Sequence, residues 1–451
     1  MIDRSRLPGW MAPVIHVPLV LAFIAYVVIA SHAHAAAPGW IIFWCLAALP
    51  LALASVFPIA GLVSCVLLTY GMSSHARELD LMLSLRILDG AAAVAFAGWL
   101  VARIGRPGFA PFRGTLVRTA LLMFAWVAVC LVVARMHGAP WGPFPRHDPS
   151  GFAQAAALFL IAADVVTTRR DAVILAAAIV ATTLGRAAVQ GFEGIHLESY
   201  VATLLVIGAP VAALGAFAAT RRPVAWTFVA SMPVLLGLLL VTRNRAAAVA
   251  AVAALAMLAW QARRTLGRRT LAAIAVVLLV GAMVVPSSYV DRFRALWNPA
   301  STHATAGLDV STAGERLDLW SAGRDMAVQQ PVFGVGPGNY PMFLPIYRAG
   351  ADPLAAHSNY IQMAAETGFV GVVLYLALFT GTLVALGCIA RSAATDWQRR
   401  AASMLQLAFV AYLAGGIFNS RHDFVLAYIL AGWTVALQRS ATSHASTAVA
   451  T

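Results

Sequence analysis

Apolar runs of roughly 20 residues, the length a helix needs to cross the hydrocarbon core of a bilayer, recur along this chain. They fall near 11–30, 40–57, 58–72, 82–103, 115–136, 151–167, 171–190, 199–219, 223–242, 245–262, 270–286, 367–390, 401–418 and 423–438. Backbone polar groups in lipid must be satisfied inside the protein, so the pattern predicts an all-α polytopic integral membrane protein. Composition agrees: 61% of the 451 residues are hydrophobic and only 11% are charged, against about 25% charged in soluble domains. A soluble globular enzyme and a disordered chain are thereby excluded. Pro50 and Pro58 interrupt the stretch 40–72, which reads as two spans or as a membrane hairpin. The expected total is therefore about 12–14 spans. The run at 11–30 is followed by further spans and reads as an uncleaved first helix.

The net charge is +13, and every one of the 31 basic residues is Arg. A basic chain often binds nucleic acid, but these charges sit in short clusters between apolar runs and read instead as orientation signals. Arg4 and Arg6; Arg103, Arg106, Arg113 and Arg118; Arg169 and Arg170; Arg221 and Arg222; Arg263, Arg264, Arg268 and Arg269; and Arg391, Arg399 and Arg400 all fall on the side of the N-terminus. Excess Arg in short loops marks the cytoplasm, so both termini are expected there. The four cysteines, Cys45, Cys65, Cys130 and Cys388, lie inside apolar runs without metal-like spacing. They read as small core or lipid-facing residues.

The opposite face holds the informative segments. These are 186–199, the turn Thr242-Arg243-Asn244-Arg245, a long loop from about Pro286 to Thr367, and a last turn with Asn419, Ser420, Arg421, His422 and Asp423. A loop that long inside a compact protein is usually functional. Three regions are expected: N-terminal transmembrane helices over 1–286, a large external loop with helices over 287–366, and C-terminal transmembrane helices with a short tail over 367–451.

Within the loop, Arg316 to Gln330 reads as an amphipathic helix with Leu317, Trp320, Ala327 and Val328 on its apolar face, ended by Pro331. The glycine-rich run Phe333-Gly334-Val335-Gly336-Pro337-Gly338-Asn339 follows. It reads as a turn; with no preceding strand it is not a nucleotide fingerprint. His357 stands just ahead of a span. Its imidazole can accept a proton near neutrality or simply cap and hydrogen-bond, and spacing alone leaves both open. Arg186, Arg243, Arg245 and Arg316 lie at span ends or in the loop, where each either snorkels to headgroups or holds an anion. No acidic cluster suits a divalent metal, so no metal or other cofactor is expected, and any chemistry here would depend on Arg electrostatics.

The block Arg316-x3-Trp320 … Pro331-x2-Gly334-x-Gly336-x-Gly338-Asn339 … His357-x2-Tyr360-x-Gln362-x3-Glu366-x-Gly368-x2-Gly371 resembles the signature region of the O-antigen ligase and polymerase superfamily. Arg186-x3-Gln190-Gly191 upstream and the Asn244-Arg245 turn look like motifs of the same family. The chain departs from the family pattern twice: Ser358 follows His357 where Asn is usual, and Asn244 precedes Arg245 where Ser is usual.

The resemblance implies a GT-C-type glycosyltransferase of the bacterial inner membrane with its active site facing the periplasm. Such an enzyme takes a glycan from undecaprenyl diphosphate without a metal. A ligase passes it to a sugar hydroxyl of lipid A-core, a polymerase to another lipid-linked repeat, and a third branch to Ser or Thr of a protein. Applied here, the resemblance makes His357 the candidate base, with Arg186, Arg243, Arg245 and Arg316 for the donor diphosphate. Gln190, Trp320, Gly336, Asn339 and Tyr360 are expected to support them. The ligase is the favoured branch: the ligase-like block is clear, and the protein-directed branch usually carries an added C-terminal periplasmic region. The expected partners are the lipid-linked O-antigen, lipid A-core and membrane lipids. A lipid or sugar transporter is the reading from another class. It would place polar residues at the bilayer midplane and show repeats, whereas mid-span polar residues such as Asp164 and Gln154 are few and no repeat is seen.

Overall fold

The computed structural model describes residues 17–25, 28, 51, 53–70, 81–104, 111–139, 150–192, 199–242, 244–263 and 313–450. Among these the chain is helical throughout, with turns between. The helices are α1 (Pro58–Tyr70), α2 (Leu81–Arg103), α3 (Thr115–Met136), α4 (Ser150–Val165), α5 (Arg169–Phe192), α6 (Ser199–Ala218), α7 (Arg222–Val241), α8 (Arg245–Ala262), α9 (Ala313–Gln329), α10 (Tyr340–Tyr347), α11 (Asn359–Ser392), α12 (Asp396–Gly415) and α13 (Val425–Ala450). Among the described residues five helices are long and apolar enough to cross a membrane: α3, α6, α7, α11 and the Arg169–Ala188 part of α5. Half of the run at 11–30, most of that at 40–57 and all of that at 270–286 lie outside the described residues. The described end of 40–57 is a tight turn, with Val56 and Phe57 both donating to the Leu53 carbonyl, and Pro58 then starts α1. Proline suits a first helical position because its missing N–H is not needed there.

Large apolar side chains face outward along the spans, among them Leu122 and Val132 on α3, Trp226 and Leu240 on α7, and Val373 and Val384 on α11. Such a surface is stable against lipid and would associate in water. The centre of the bundle is α13, buried without a break from Phe424 to Leu437. It packs on α4, while α12 lies against α6, α8 and α11. The mid-span polar residues are used between helices. Asp164 of α4 takes Arg103 Nε at 2.7 Å and Trp99 Nε1 at 2.9 Å, and Gln154 Nε2 donates to Asp89 at 2.7 Å. In hydrocarbon, interhelical bonds of this kind tie helices together.

The two ends of the bundle differ. At one end Arg169 approaches the Trp397 ring and Arg400 the Phe217 ring, and Arg439 donates to the carbonyls of Ala163 and Arg113. This is the end where the sequence puts the Arg clusters. The other end collects the C-terminal half of α5, the starts of α6, α8 and α11, and the loop 416–424.

Candidate functional site

The floor of the site is a break in α11. Gly368 has φ 68° and ψ −176°, so the helix is two pieces, 359–367 and 369–392, joined at an angle. Breaking a helix frees backbone groups that hydrocarbon cannot satisfy. Here Trp126 Nε1 of α3 donates to the Thr367 carbonyl at 2.9 Å, and Phe369 N donates to the Pro331 carbonyl at 2.9 Å. The glycine-rich run 333–339 docks on this break. Val335 N and Gly336 N donate to the carbonyls of Ala365 and Glu366 at 2.8 and 3.0 Å. The fit requires glycine twice. A Cβ on Gly368 would collide with the Val332 carbonyl, and one on Gly334, where φ is 64°, with the backbone of Glu366.

Glu366 fastens this arrangement. It is 1% exposed, and its carboxylate accepts from Gly338 N at 3.0 Å, Tyr340 N at 3.4 Å and Gln362 Nε2 at 2.9 Å, with His422 Nε2 at 3.3 Å. The backbone N–H groups of Gly338 and Tyr340 are thus aimed at a side chain of the protein itself, while Asn339 N donates to the Gly336 carbonyl, so the glycine-rich run is a docking turn. Gly336 and Asn339 belong to that turn. Asn339 Nδ2 donates to the Val335 carbonyl at 3.0 Å, and a side chain at Gly336 would run into Ala134.

His357 is half-buried and sits at φ 52°, a left-handed conformation uncommon for a non-glycine residue. Such strain persists where the surroundings over-determine it, and it clusters at functional sites. The surroundings here are the loop 416–424. Ser358 N donates to Ser420 Oγ at 3.1 Å, Asn359 N to the Gly416 carbonyl at 2.8 Å, and Arg421 N to Asn359 Oδ1. Tyr360 ties the same segment to α12 through Tyr360 Oη donating to the Leu413 carbonyl at 2.7 Å. Ser358, at the position where the family usually has Asn, is the residue preceding the helix and is buried.

The helix α9 forms one wall. Its buried face is Leu319, Ala322 and Met326, packed on Ala356, Ile361 and Ala365, with Tyr340 Oη donating to the Leu319 carbonyl at 2.6 Å. The expected apolar face is thus corrected: Ala327 is buried, but Leu317 and Val328 are 62% and 61% exposed. Small residues decide the contact, since Gly323 lets Ile361 approach closer than any Cβ would allow. Trp320 turns toward the loop 416–424 and stacks on Phe418 with ring centres 6.1 Å apart. Its buried Nε1 has no hydrogen-bond partner among the described residues. Arg316, one turn before Trp320, is half-buried, and burial holds its guanidinium below the usual arginine range.

The other wall is α5, α6 and α8. Arg186 is buried, 9% exposed, and acts electrostatically on Tyr200 at the start of α6, as do Arg421 and Asp423. Asn244 caps α8 by accepting from Ala247 N at 3.0 Å. An asparagine serves that position as well as serine does, which accounts for the second departure from the family pattern. The start of α8 lies against Gly415 and so at this end of the bundle. Arg243 lies outside the described residues, and so do the side chains of Arg245 and Gln190.

The structure therefore brings together His357, Trp320, Arg186 and the start of α8. It adds two features to which the sequence reading assigned no role: the carboxylate of Glu366 and the loop 416–424. The signal for the latter is five consecutive polar residues, 419–423, between two apolar runs. Residues 230–376 match a protein-family model described as O-antigen ligase. This match bears out the sequence resemblance to the O-antigen ligase and polymerase superfamily and spans α8, α9, the docking turn and His357. No curated protein matches the chain.

Proposed function

We propose, from the O-antigen ligase match over residues 230–376, that this chain is a GT-C-type O-antigen ligase. It transfers a glycan from undecaprenyl diphosphate to a sugar hydroxyl of lipid A-core. The supporting observation is that the matched segment delivers His357, in a strained backbone, to the end of the bundle that also holds Arg186 and Arg421. That end is the one away from the Arg clusters. By the charge rule it faces the periplasm of a bacterial inner membrane, with both termini cytoplasmic. In this reading 1–286 and 367–451 are the transmembrane regions, and 287–366 is the external loop.

The reaction is one displacement. The acceptor hydroxyl oxygen attacks the anomeric carbon, the bond from that carbon to the diphosphate oxygen breaks, and undecaprenyl diphosphate leaves with the electron pair. Attack from the opposite face inverts the anomeric centre. His357 takes the hydroxyl proton as it is lost. Charge grows on the departing oxygen, and Arg186, Arg243, Arg245 and Arg316 stabilise it in place of a metal cation. The transition state is open, so alignment of acceptor and donor contributes as much as the base. Trp320 offers a flat apolar face with an N–H donor, which suits a sugar ring.

The test supplies purified protein with a lipid-linked glycan and offers lipid A-core and a second lipid-linked repeat in separate reactions. Transfer to lipid A-core alone is expected. Chain growth on the second repeat would make the protein a polymerase, and transfer to neither acceptor would overturn the reading.

A further inference from the structure

We infer that residues 326–347 form a re-entrant segment, which descends from the external loop into the outer half of the bilayer and presents Val328 and Val332 to lipid acyl chains. The depth is read from α3, which is 22 residues long and apolar enough to cross the membrane. Its start lies at the end with the Arg clusters, where Arg439 reaches the Arg113 carbonyl at 2.9 Å. Phe333 stacks on Trp126 of α3 with ring centres 5.4 Å apart and planes 15° apart. Trp126 stands ten residues before Met136, the last residue of α3. At 1.5 Å per residue, that is about 15 Å below the outer end of the helix. From Phe333 the turn climbs α3, and Gly336 lies where a Cβ would strike Ala134, close to that end.

The composition of the segment fits this depth. The 22 residues from Met326 to Tyr347 include no Asp, Glu, Lys, Arg or His. Charge resumes at once on both flanks, and the flanks are tied together. Arg348 pairs with Asp325 at 3.0 Å, and Arg324 with the same carboxylate at 3.0 Å. These pairs close the neck of the excursion, at the level where charged groups reach headgroups and water. Irregular backbone is tolerated at membrane depth only where protein satisfies it. Gly334 N donates to the Gln330 carbonyl at 3.0 Å, and Val335 N, Gly336 N and Gly338 N are taken by Ala365 and Glu366. Pro331 and Pro337 have no N–H to satisfy.

The outward surface of the segment continues the lipid-facing side of α11. Phe369 N donates to the Pro331 carbonyl at 2.9 Å. Exposed Val332 therefore lies beside Phe369 and Val370, which are also exposed, and Val373 follows one turn further along α11. An apolar surface that runs unbroken from the span onto the turn is stable against acyl chains and not against water.

This inference depends on α3 crossing the bilayer and on no part of the donor or acceptor chemistry, so its failure would leave the proposed transfer standing. The test uses the full chain with its natural cysteines replaced by alanine, in liposomes of phosphatidylethanolamine and phosphatidylglycerol. Nitroxide labels are attached singly to the variants Arg324→Cys, Val328→Cys, Val332→Cys and Val373→Cys. Collisions with oxygen, which concentrates in hydrocarbon, are compared with collisions with a water-soluble nickel chelate. Nickel collisions are expected to be lost at 332 as at 373 and kept at 324, with 328 between. Val328 lies on the exposed side of α9, so its label still reports the depth if a label at 332 disturbs the turn. Nickel collisions at 328 and 332 equal to those at 324 overturn the inference and make the segment aqueous. Shielding of 332 from both reagents marks a protein contact in place of lipid and overturns it too.

Discussion

Gly338 N donates to Glu366 Oε2 at 3.0 Å, joining the glycine-rich turn to the bent helix 28 residues further along. The same carboxylate meets Tyr340 N and Gln362 Nε2. In Glu366→Gln an amide NH2 replaces one of the two oxygens and faces a backbone N–H. Each donor left unmet in a buried place costs about 1–3 kcal/mol. The variant should show a lower thermal midpoint and reduced transfer, while Gln362→Ala should show a smaller effect of the same sign. An unchanged midpoint in Glu366→Gln would remove the carboxylate from this role.

His422 shares that carboxylate, and its protonation should set a pH dependence. Burial disfavours the imidazolium, but the hydrogen bond and charge of Glu366, aided by Asp423 and opposed by Arg421, outweigh it and raise the pKa above the ordinary value. A raised folded-state pKa gives stability that is complete below the unfolded pKa of about 6.5. It is lost as pH rises through the folded value. The thermal midpoint should therefore fall as pH rises above neutrality, and His422→Asn should flatten that fall. A midpoint rising with pH over this range would contradict the assignment.

At His357 the side chain and the backbone make separable demands. His357→Ala should lower transfer by about 10²–10⁴-fold if the imidazole acts as a base. His357→Gly should be as inactive, yet more thermally stable than the alanine variant, because glycine adopts φ 52° without strain. Near-native turnover by the alanine variant would dismiss the base.

For Arg316 the expected loss on substitution by alanine is about 10²–10³-fold in kcat. Lysine should recover only part of it, since an ammonium cannot present a planar fork. Full recovery by lysine would reduce the role of Arg316 to bulk charge.

Gly368→Ala tests the break in α11 directly. A methyl there meets the Val332 carbonyl and must also hold φ 68°. Left-handed backbone alone costs an alanine about 1–2 kcal/mol. Lower yield of folded protein and a lower midpoint are expected; a wild-type midpoint would mean that the turn and helix separate freely.

Much of the helical layout was legible because long apolar runs leave few alternatives. The run at 115–136 is α3, Thr115–Met136, and the run expected to begin at 367 starts at the break beside Gly368. The short piece 359–367 was not legible as a separate helix. Its polar residues Asn359, Gln362 and Glu366 are buried through bonds to segments remote in sequence, which hydropathy counts against burial. The face of α9 was misread for a related reason: Ala322 and Gly323 make its closest contacts, and small residues carry little hydropathic weight. His357 and Arg186 stood out as isolated polar groups. Arg421 stood in the polar turn 419–423, but its place beside Tyr200 and Asn359 was not legible, because both lie more than sixty residues away in sequence.

The docking of residues 331–339 on the bent helix also limits how this protein can be recombined with its relatives. An exchange of segments that cut the chain between Pro331 and Phe369 would pair one parent's turn with another parent's bend, and Val332 would then meet a foreign Gly368. Chimeras should keep 331–369 as one inherited block and place their junctions in α9 or beyond the bend, so that the turn keeps the bend it was shaped to meet.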